Sequence, residues 1–496
     1  MKSIGSSVLW KGFDRLAGLS KHIVIAAAIG LSAQLDVFYM GVALLGLLVF
    51  SWASMIDVVA VPGMVRAWQE NRHEDFRRIA AGMFTLTLIG SLVLAVLLYT
   101  GRSGISAMAI GFEQERRQLL AEAIPWLLPV ILLYIPMRLM GAVLRALRSF
   151  SPFYQAEFIT ALAVLICVWV YKEDGHVLLW SFSAGVTASF LFLLYKTHRF
   201  ILPLANPFSP QVRGALNMVP GLLVLQGAQY IYVLTDRMFI SFLPEGAVSA
   251  LAYGFTLVSL LPLLIALNGS FITVFAEQKE ISNKNARLND LVSIAIFLGA
   301  GSTAFMLIAG QSMVQVMLER GVFTASDTAS VAQAINAYAW MILPLFLIGS
   351  LDQVFQVEGK VGLMVRRTVL GLITNIILNA WFLFGLGWGL FGVAMATSIS
   401  YWVMLLTGLA STRRLGYTIE KFRHTRWLAW NTASVFLVYT ALNTLPVTVQ
   451  LGVPSLFVAA FLIGVAMLLA GIFYRGYEQA LIKATLNRIF RQGVQL

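Results

Sequence analysis

Charge is scarce in this chain of 496 residues: only 12% are Asp, Glu, Lys or Arg, against about 25% in an ordinary soluble domain. That scarcity excludes a conventional water-soluble globule. There is one cysteine, Cys167, which rules out an intramolecular disulfide; it sits in an apolar run and reads as packing. Histidine is nearly as rare. His73, His176, His198 and His424 fall in connections or at helix ends, so no Cys/His metal cluster can be assembled from spacing. No phosphate-binding glycine loop or serine elbow is present either, and the chain is not expected to be an enzyme. The apolar segments are continuous rather than alternating, which excludes a β-barrel. The opening stretch "MKSIGSSVLWKGFDRL" lacks the small-residue site of a cleavable signal peptide.

What the chain does have is hydrocarbon. Hydrophobic residues make up 59% of it, in runs of about 20 that recur from end to end. These predict an all-α polytopic membrane protein with about fourteen transmembrane helices, near 10–30, 36–65, 79–99, 119–148, 153–171, 177–196, 214–242, 247–275, 289–310, 330–357, 363–384, 390–409, 427–444 and 453–474. The net charge is +12, and its distribution explains it without nucleic acid. Twenty-six of the 35 basic residues fall in connections or at span ends on the N-terminal side of the membrane, five on the other side and four deeper within spans. By the positive-inside rule both termini are cytoplasmic.

The proline-bearing linker "KTHRFILPLANPFSPQVRG" (196–214) follows six helices. A shift of 214 residues lays "LDVFYMGVALLGLL" (35–48) on "SALAYGFTLVSLLP" (249–262), a weak internal repeat. The expected organisation is an N-terminal six-helix lobe over 1–200, a C-terminal six-helix lobe over 201–412, and 413–496 holding helices 13 and 14 with a cytoplasmic tail. Two such lobes about a central cavity make a transporter architecture, with its site between the halves. The fourth span carries Pro125, Pro129 and Pro136; three freed carbonyls at membrane depth point to a helix that flexes or lines a cavity.

An ionisable side chain at mid-bilayer costs about 2.5–3.5 kcal/mol on insertion scales, so it faces protein or water. Lys21 and His22 lie past the midpoint of the first span, Arg138 in the fourth, and Asp236 and Arg237 side by side in the seventh. Lys21, His22, Arg138 and Arg237 are therefore the cavity candidates. Arg138 suits a phosphate by its planar fork, or a structural acid on another helix. Asp36 reads as an N-terminal cap. Asp57, Glu157, Asp352 and Glu358 read as interfacial, with no chemistry assigned. Asn375 and Asn379, four apart in the eleventh span, share a helix face. Their amide oxygens, with Thr397 and the Asp236 carboxylate, are hard donors of the kind that suit sodium, though an interhelical hydrogen-bond ladder uses the same residues.

Several stretches carry a resemblance. "RLAGLSKHIVIAAAIGLSAQLDVFYM" (15–40), "EGAVSALAYGFTLVSLLPLLI" (245–265), "ERGVFTASDT" (319–328) and "GLFGVAMATSIS" (389–400) resemble the MurJ/MviN lipid II flippases, within the multidrug/oligosaccharidyl-lipid/polysaccharide exporter superfamily. The resemblance implies two six-helix lobes around a cavity, with the last two helices forming a groove for a lipid tail. It implies transfer of an undecaprenyl-pyrophosphate-linked saccharide from the cytoplasmic to the outer leaflet of the bacterial inner membrane, by alternating access. The partners implied are the lipid-linked saccharide and membrane lipids; a monomer is expected. The implied sodium ligands fall on Asp236, Asn375, Asn379, the carbonyl of Val393 and Thr397, making Na+ the expected coupling ion; no other cofactor is expected. Where the family has paired arginines in the second helix this chain has Val49 and Phe50, and where it has an eighth-helix arginine it has Thr256. Lys21 keeps a positive charge where the family has an arginine, and Arg138 and Arg237 are the substitutes at hand. Lipid II or the lipid-linked unit of another polysaccharide both fit. The alternative is a cation-coupled exporter of small amphipathic compounds.

Overall fold

The apolar runs of the sequence fold as helices, and the computed structural model describes residues 2–216, 219–264 and 280–420 of them. In chain order these are α1 (Lys2–Ile29), α2 (Ala33–Leu45), α3 (Ser51–Gln69), α4 (His73–Thr100), α5 (Arg102–Ser106), α6 (Gln114–Ala146), α7 (Ser151–Val170), α8 (Val177–Ile201) and α9 (Pro210–Leu216). They continue with α10 (Val219–Ile240), α11 (Ala247–Leu264), α12 (Ile281–Leu318), α13 (Ala325–Val357), α14 (Val361–Ala380) and α15 (Gly389–Arg414). No strand occurs among the described residues. Nine helical segments there are long and apolar enough to cross a membrane. Every span expected up to residue 409 has a helical counterpart, that at 247–275 over its described part, Ala247–Leu264; residues 265–275 and the expected helices at 427–444 and 453–474, with their lipid-tail groove, lie outside the described residues.

Local chemistry sets the boundaries. Ser32 caps α2, its hydroxyl accepting from the Leu35 amide at 3.3 Å. Glu74 and Asp75 occupy the first turn of α4, where the helix dipole favours acids. The second expected span is one rod made of α2 and α3, joined by a single π-turn at Gly46–Phe50. A Cβ on Gly46 would stand 2.8 Å from the Tyr230 ring of α10, so the turn lies where another helix packs closely. α6 runs unbroken through its three prolines.

The chain forms two compact units. Unit 1 comprises residues 1–249 and 318–327; unit 2 comprises 250–317 and 328–496. In unit 1, α6 packs on α3, α4 and α8, and α7 packs on α1 and α8. Small residues permit this: a Cβ on Gly185 of α8 would lie 2.9 Å from the Thr160 carbonyl of α7, and the Thr160 and Ser189 hydroxyls share a hydrogen bond of 2.8 Å. The outward faces are apolar, with Leu162, Ile166 and Trp169 of α7 exposed, as helices bathed in lipid require. In unit 2, α14 packs closely on α15.

Candidate functional site

The charges inside the spans of unit 1 gather in two places. The first lies between α6, α3 and α7, with α1 packed against α7. Arg138 and Arg145 are seven residues apart on α6, two turns of one face. Arg138 Nη1 lies 3.2 Å from Glu157 Oε1 on α7, and its Nη2 lies 3.8 Å from Asp57 Oδ2 on α3. Arg145 pairs with the other oxygen of Asp57. Both guanidinium groups also sit against the Phe153 ring, at 4.7 and 4.3 Å from its centroid. Lys21 and Asp14 of α1 lie within Coulombic range of Glu157. Of the expected cavity residues, Lys21 and Arg138 thus share one electrostatic cluster.

His22 and Arg237 belong to the other place. Adjacent residues on a helix diverge by about 100°, so His22 leaves the Lys21 cluster and meets Tyr39, whose hydroxyl lies 3.4 Å from His22 Nδ1. Arg237 is buried; it sits over the Tyr39 ring at 5.8 Å and donates to the Val248 carbonyl at 2.6 Å. Asp36 lies in the same region and does not cap its own helix, since Ser32 already does. It is fully buried and accepts from the amides of Gly246 at 2.8 Å and Ser249 at 2.7 Å, and from the Ser249 hydroxyl. Asp36 therefore caps α11, a helix more than two hundred residues downstream. Beside it Ala33 donates its amide to Glu245 at 2.6 Å, and Val322 donates to the Ala27 carbonyl at 3.0 Å. Gly321, at φ +62°, leaves no room for a Cβ against that carbonyl. Three loops are clasped together at this end of unit 1.

In unit 2, Asn375, Asn379 and Thr397 are buried and linked. Asn379 Nδ2 donates to Asn375 Oδ1 at 3.1 Å, and Asn375 Nδ2 donates to Thr397 Oγ1 at 3.1 Å. Val393 is buried one turn before Thr397 on α15. Asp236, buried, belongs to unit 1. The amide and hydroxyl oxygens of Asn375, Asn379 and Thr397 are hard donors. Unit 2 also holds an ion pair between the buried Arg367 and the half-buried Asp352 at 2.7 Å.

Sequence reasoning missed Asp57, Glu157 and Arg145 as partners and assigned the acids only to the interface. The signal available was the spacing of Arg138 and Arg145 about Gly141; nothing in the sequence says which acid meets which base.

These features define a class: an all-α polytopic membrane protein, with charged residues inside its spans held by partners on neighbouring helices, as in a transporter. Residues 25–471 match the family described as lipid II flippase MurJ, and the chain belongs to that family. Probable lipid II flippases of Rickettsia prowazekii and Thermotoga maritima are 25% and 24% identical to it, over 65% and 78% of this chain and 65% and 80% of their own lengths. The relative in Buchnera aphidicola of Acyrthosiphon pisum is 20% identical over 91% of this chain and 89% of its own. Among solved structures, a lipid II flippase in an inward closed conformation superposes with TM-score 0.79 at 18% identity, covering 96% of this chain and 99% of that one. An inward-facing multidrug resistance transporter of the MATE family gives 0.70 at 13%, covering 81% and 94%. The structures establish the fold; the family match favours the flippase over the multidrug alternative.

Proposed function

We propose that the protein moves a lipid-linked saccharide diphosphate, lipid II or the equivalent unit of another polysaccharide, from the cytoplasmic to the outer leaflet of the bacterial inner membrane. The observation that carries this is the pair Arg138 and Arg145 on one face of a membrane-length helix, held together by Asp57 and Glu157, in a chain whose family match covers most of its length. Cations inside a membrane protein mark an anion path, and a guanidinium matches phosphate geometry. Movement is by alternating access, with the Asp36 clasp closing the outer end of unit 1. The excess of basic residues on the opposite side supports that orientation and cytoplasmic termini.

Sodium is the proposed coupling ion. The neutral oxygens of Asn375, Asn379, Thr397 and Val393 are its donors in α14 and α15, and Asp236 is the carboxylate that the resemblance adds. The protein acts as a translocator, without catalytic residues.

The test is complementation of a strain depleted of its own lipid II flippase. Growth restored by the wild-type chain, and lost with Lys21→Ala or Arg138→Ala while the protein still inserts, is the expected result. Full activity of both variants refutes the cavity assignment. Failure of the wild-type chain, with rescue of a polysaccharide-export defect instead, assigns the other saccharide.

A further inference from the structure

Arg138 and Arg145 are not simply two salt bridges. Gly141 lies between them on the same face of α6, three and four residues away. A Cβ there would stand 2.5 Å from the Phe153 ring and 3.5 Å from Arg145 Nη1. The absent side chain lets the ring settle against both guanidinium groups, which turns two flexible cations into a fixed pair. Asp57 bridges the pair, one oxygen to each arginine, and Glu157 holds Arg138 from α7. None of the four is sealed: the side chains of Arg138 and Arg145 are 22% and 19% exposed, and those of Asp57 and Glu157 are 38% and 28% exposed. The arginines and their carboxylate partners are therefore all partly accessible.

We propose that Arg138 and Arg145 form a diphosphate clamp, occupied at rest by the carboxylates of Asp57 and Glu157, which an entering diphosphate displaces. The inference rests on the lipid-linked reading of the substrate. Two carboxylates and a diphosphate diester carry the same charge, so the two guanidinium groups are compensated both before and after the exchange. That matters where the surroundings are poorly solvating, because an uncompensated arginine or carboxylate there is costly. A released Glu157 also has a second cation within range, Lys21. The carboxylates thereby set a threshold: a single phosphodiester, with one charge, replaces only one of them. The site selects a diphosphate over the phospholipids that surround the protein.

The experiment uses the full-length protein in detergent and an arginine-selective reagent, phenylglyoxal, with modification of each arginine read by mass spectrometry. Inorganic pyrophosphate is expected to protect Arg138 and Arg145 together, and phosphatidylglycerol added to the same micelles to protect neither. In Asp57→Asn/Glu157→Gln, protection is expected at about tenfold lower pyrophosphate, since two competing charge-assisted interactions are gone. Should that variant not fold, Phe153→Leu provides the second arm: the ring no longer fixes the pair, and protection of Arg138 and Arg145 is lost together. Absence of protection in the wild type, or an unchanged pyrophosphate requirement in the double variant, overturns the clamp. Equal protection by phosphatidylglycerol overturns its selectivity for diphosphate. Protection by pyrophosphate in a chain that fails every flippase complementation leaves the clamp standing and removes the transport reading.

Discussion

Asp36 shows how much one side chain can decide. It was legible as a cap, and it is one, but of α11 rather than of its own helix. Its carboxylate takes three donors in a fully buried setting. A hydrogen bond to a charged group contributes about 1.5–3 kcal/mol and leaving buried donors unmet costs a similar amount. Asp36→Ala is therefore expected to lower stability by about 3 kcal/mol or more, seen as a lower melting temperature; Asp36→Asn, which keeps an acceptor, loses less. An Asp36→Ala protein that melts with the wild type would show that the clasp holds nothing. The pair of buried Arg367 and half-buried Asp352 makes a second case at this scale. Asp352→Asn strands a cation that is only 4% exposed, so a loss of about 3–5 kcal/mol is expected, whereas replacing both by apolar residues of similar volume is expected to restore stability. Thermal unfolding of the single and double variants checks both.

At the scale of elements, the segment after α15 is tied to the N-terminal end of α12. Thr418 and Glu420 donate their amides to Asn285 and Asn289 at 3.0 and 2.9 Å. Glu358, just past α13, accepts from Lys284 at 2.7 Å and from the Tyr417 hydroxyl at 2.6 Å. The Lys284 hydrogen bond, then that of Tyr417, holds the Glu358 carboxyl below its ordinary value of 4.5. A lowered folded pKa stabilises the fold at pH above that ordinary value, and the contribution is lost as pH falls through the folded one. The difference in melting temperature between wild type and Glu358→Gln is thus expected to be full at neutral pH and to shrink below about pH 4.5. A difference constant from pH 7 to 3, roughly the range over which a carboxylate titrates, would rule the ionic tie out. Gly141 is the matching test in unit 1: Gly141→Ala pushes Phe153 from the arginine pair, and inter-helix disturbance of a packed core typically costs about 1–3 kcal/mol.

At the scale of the molecule, the oxygen cluster of α14 and α15 gives a direct expectation. Sodium raises the melting temperature over an equal concentration of potassium, and the gain is absent in Asn379→Ala and in Asp236→Asn. Equal melting in both salts removes sodium from the mechanism. Orientation is tested with single cysteines in a Cys167→Ala background. Residue 172 is expected to react with an impermeant thiol reagent from outside the cell, and residue 284 only after permeabilisation.

The sequence by itself determined the fold class and the place of almost every described helix. Apolar runs of membrane length have no other stable solution in lipid, because each backbone amide must be bonded within its own segment. It also showed which side chains are out of place in hydrocarbon: Lys21, His22, Arg138, Asp236 and Arg237. The partners of those charges were decided only by tertiary structure. Asp57 and Arg145 are separated by 88 residues, and Asp36 and Ser249 by 213. Such pairings depend on how each helix is rotated and how deep it sits against its neighbours. Small residues such as Gly141 and Gly185 set that, through the closeness of approach they permit, and a contact of this kind leaves no periodic trace along the chain.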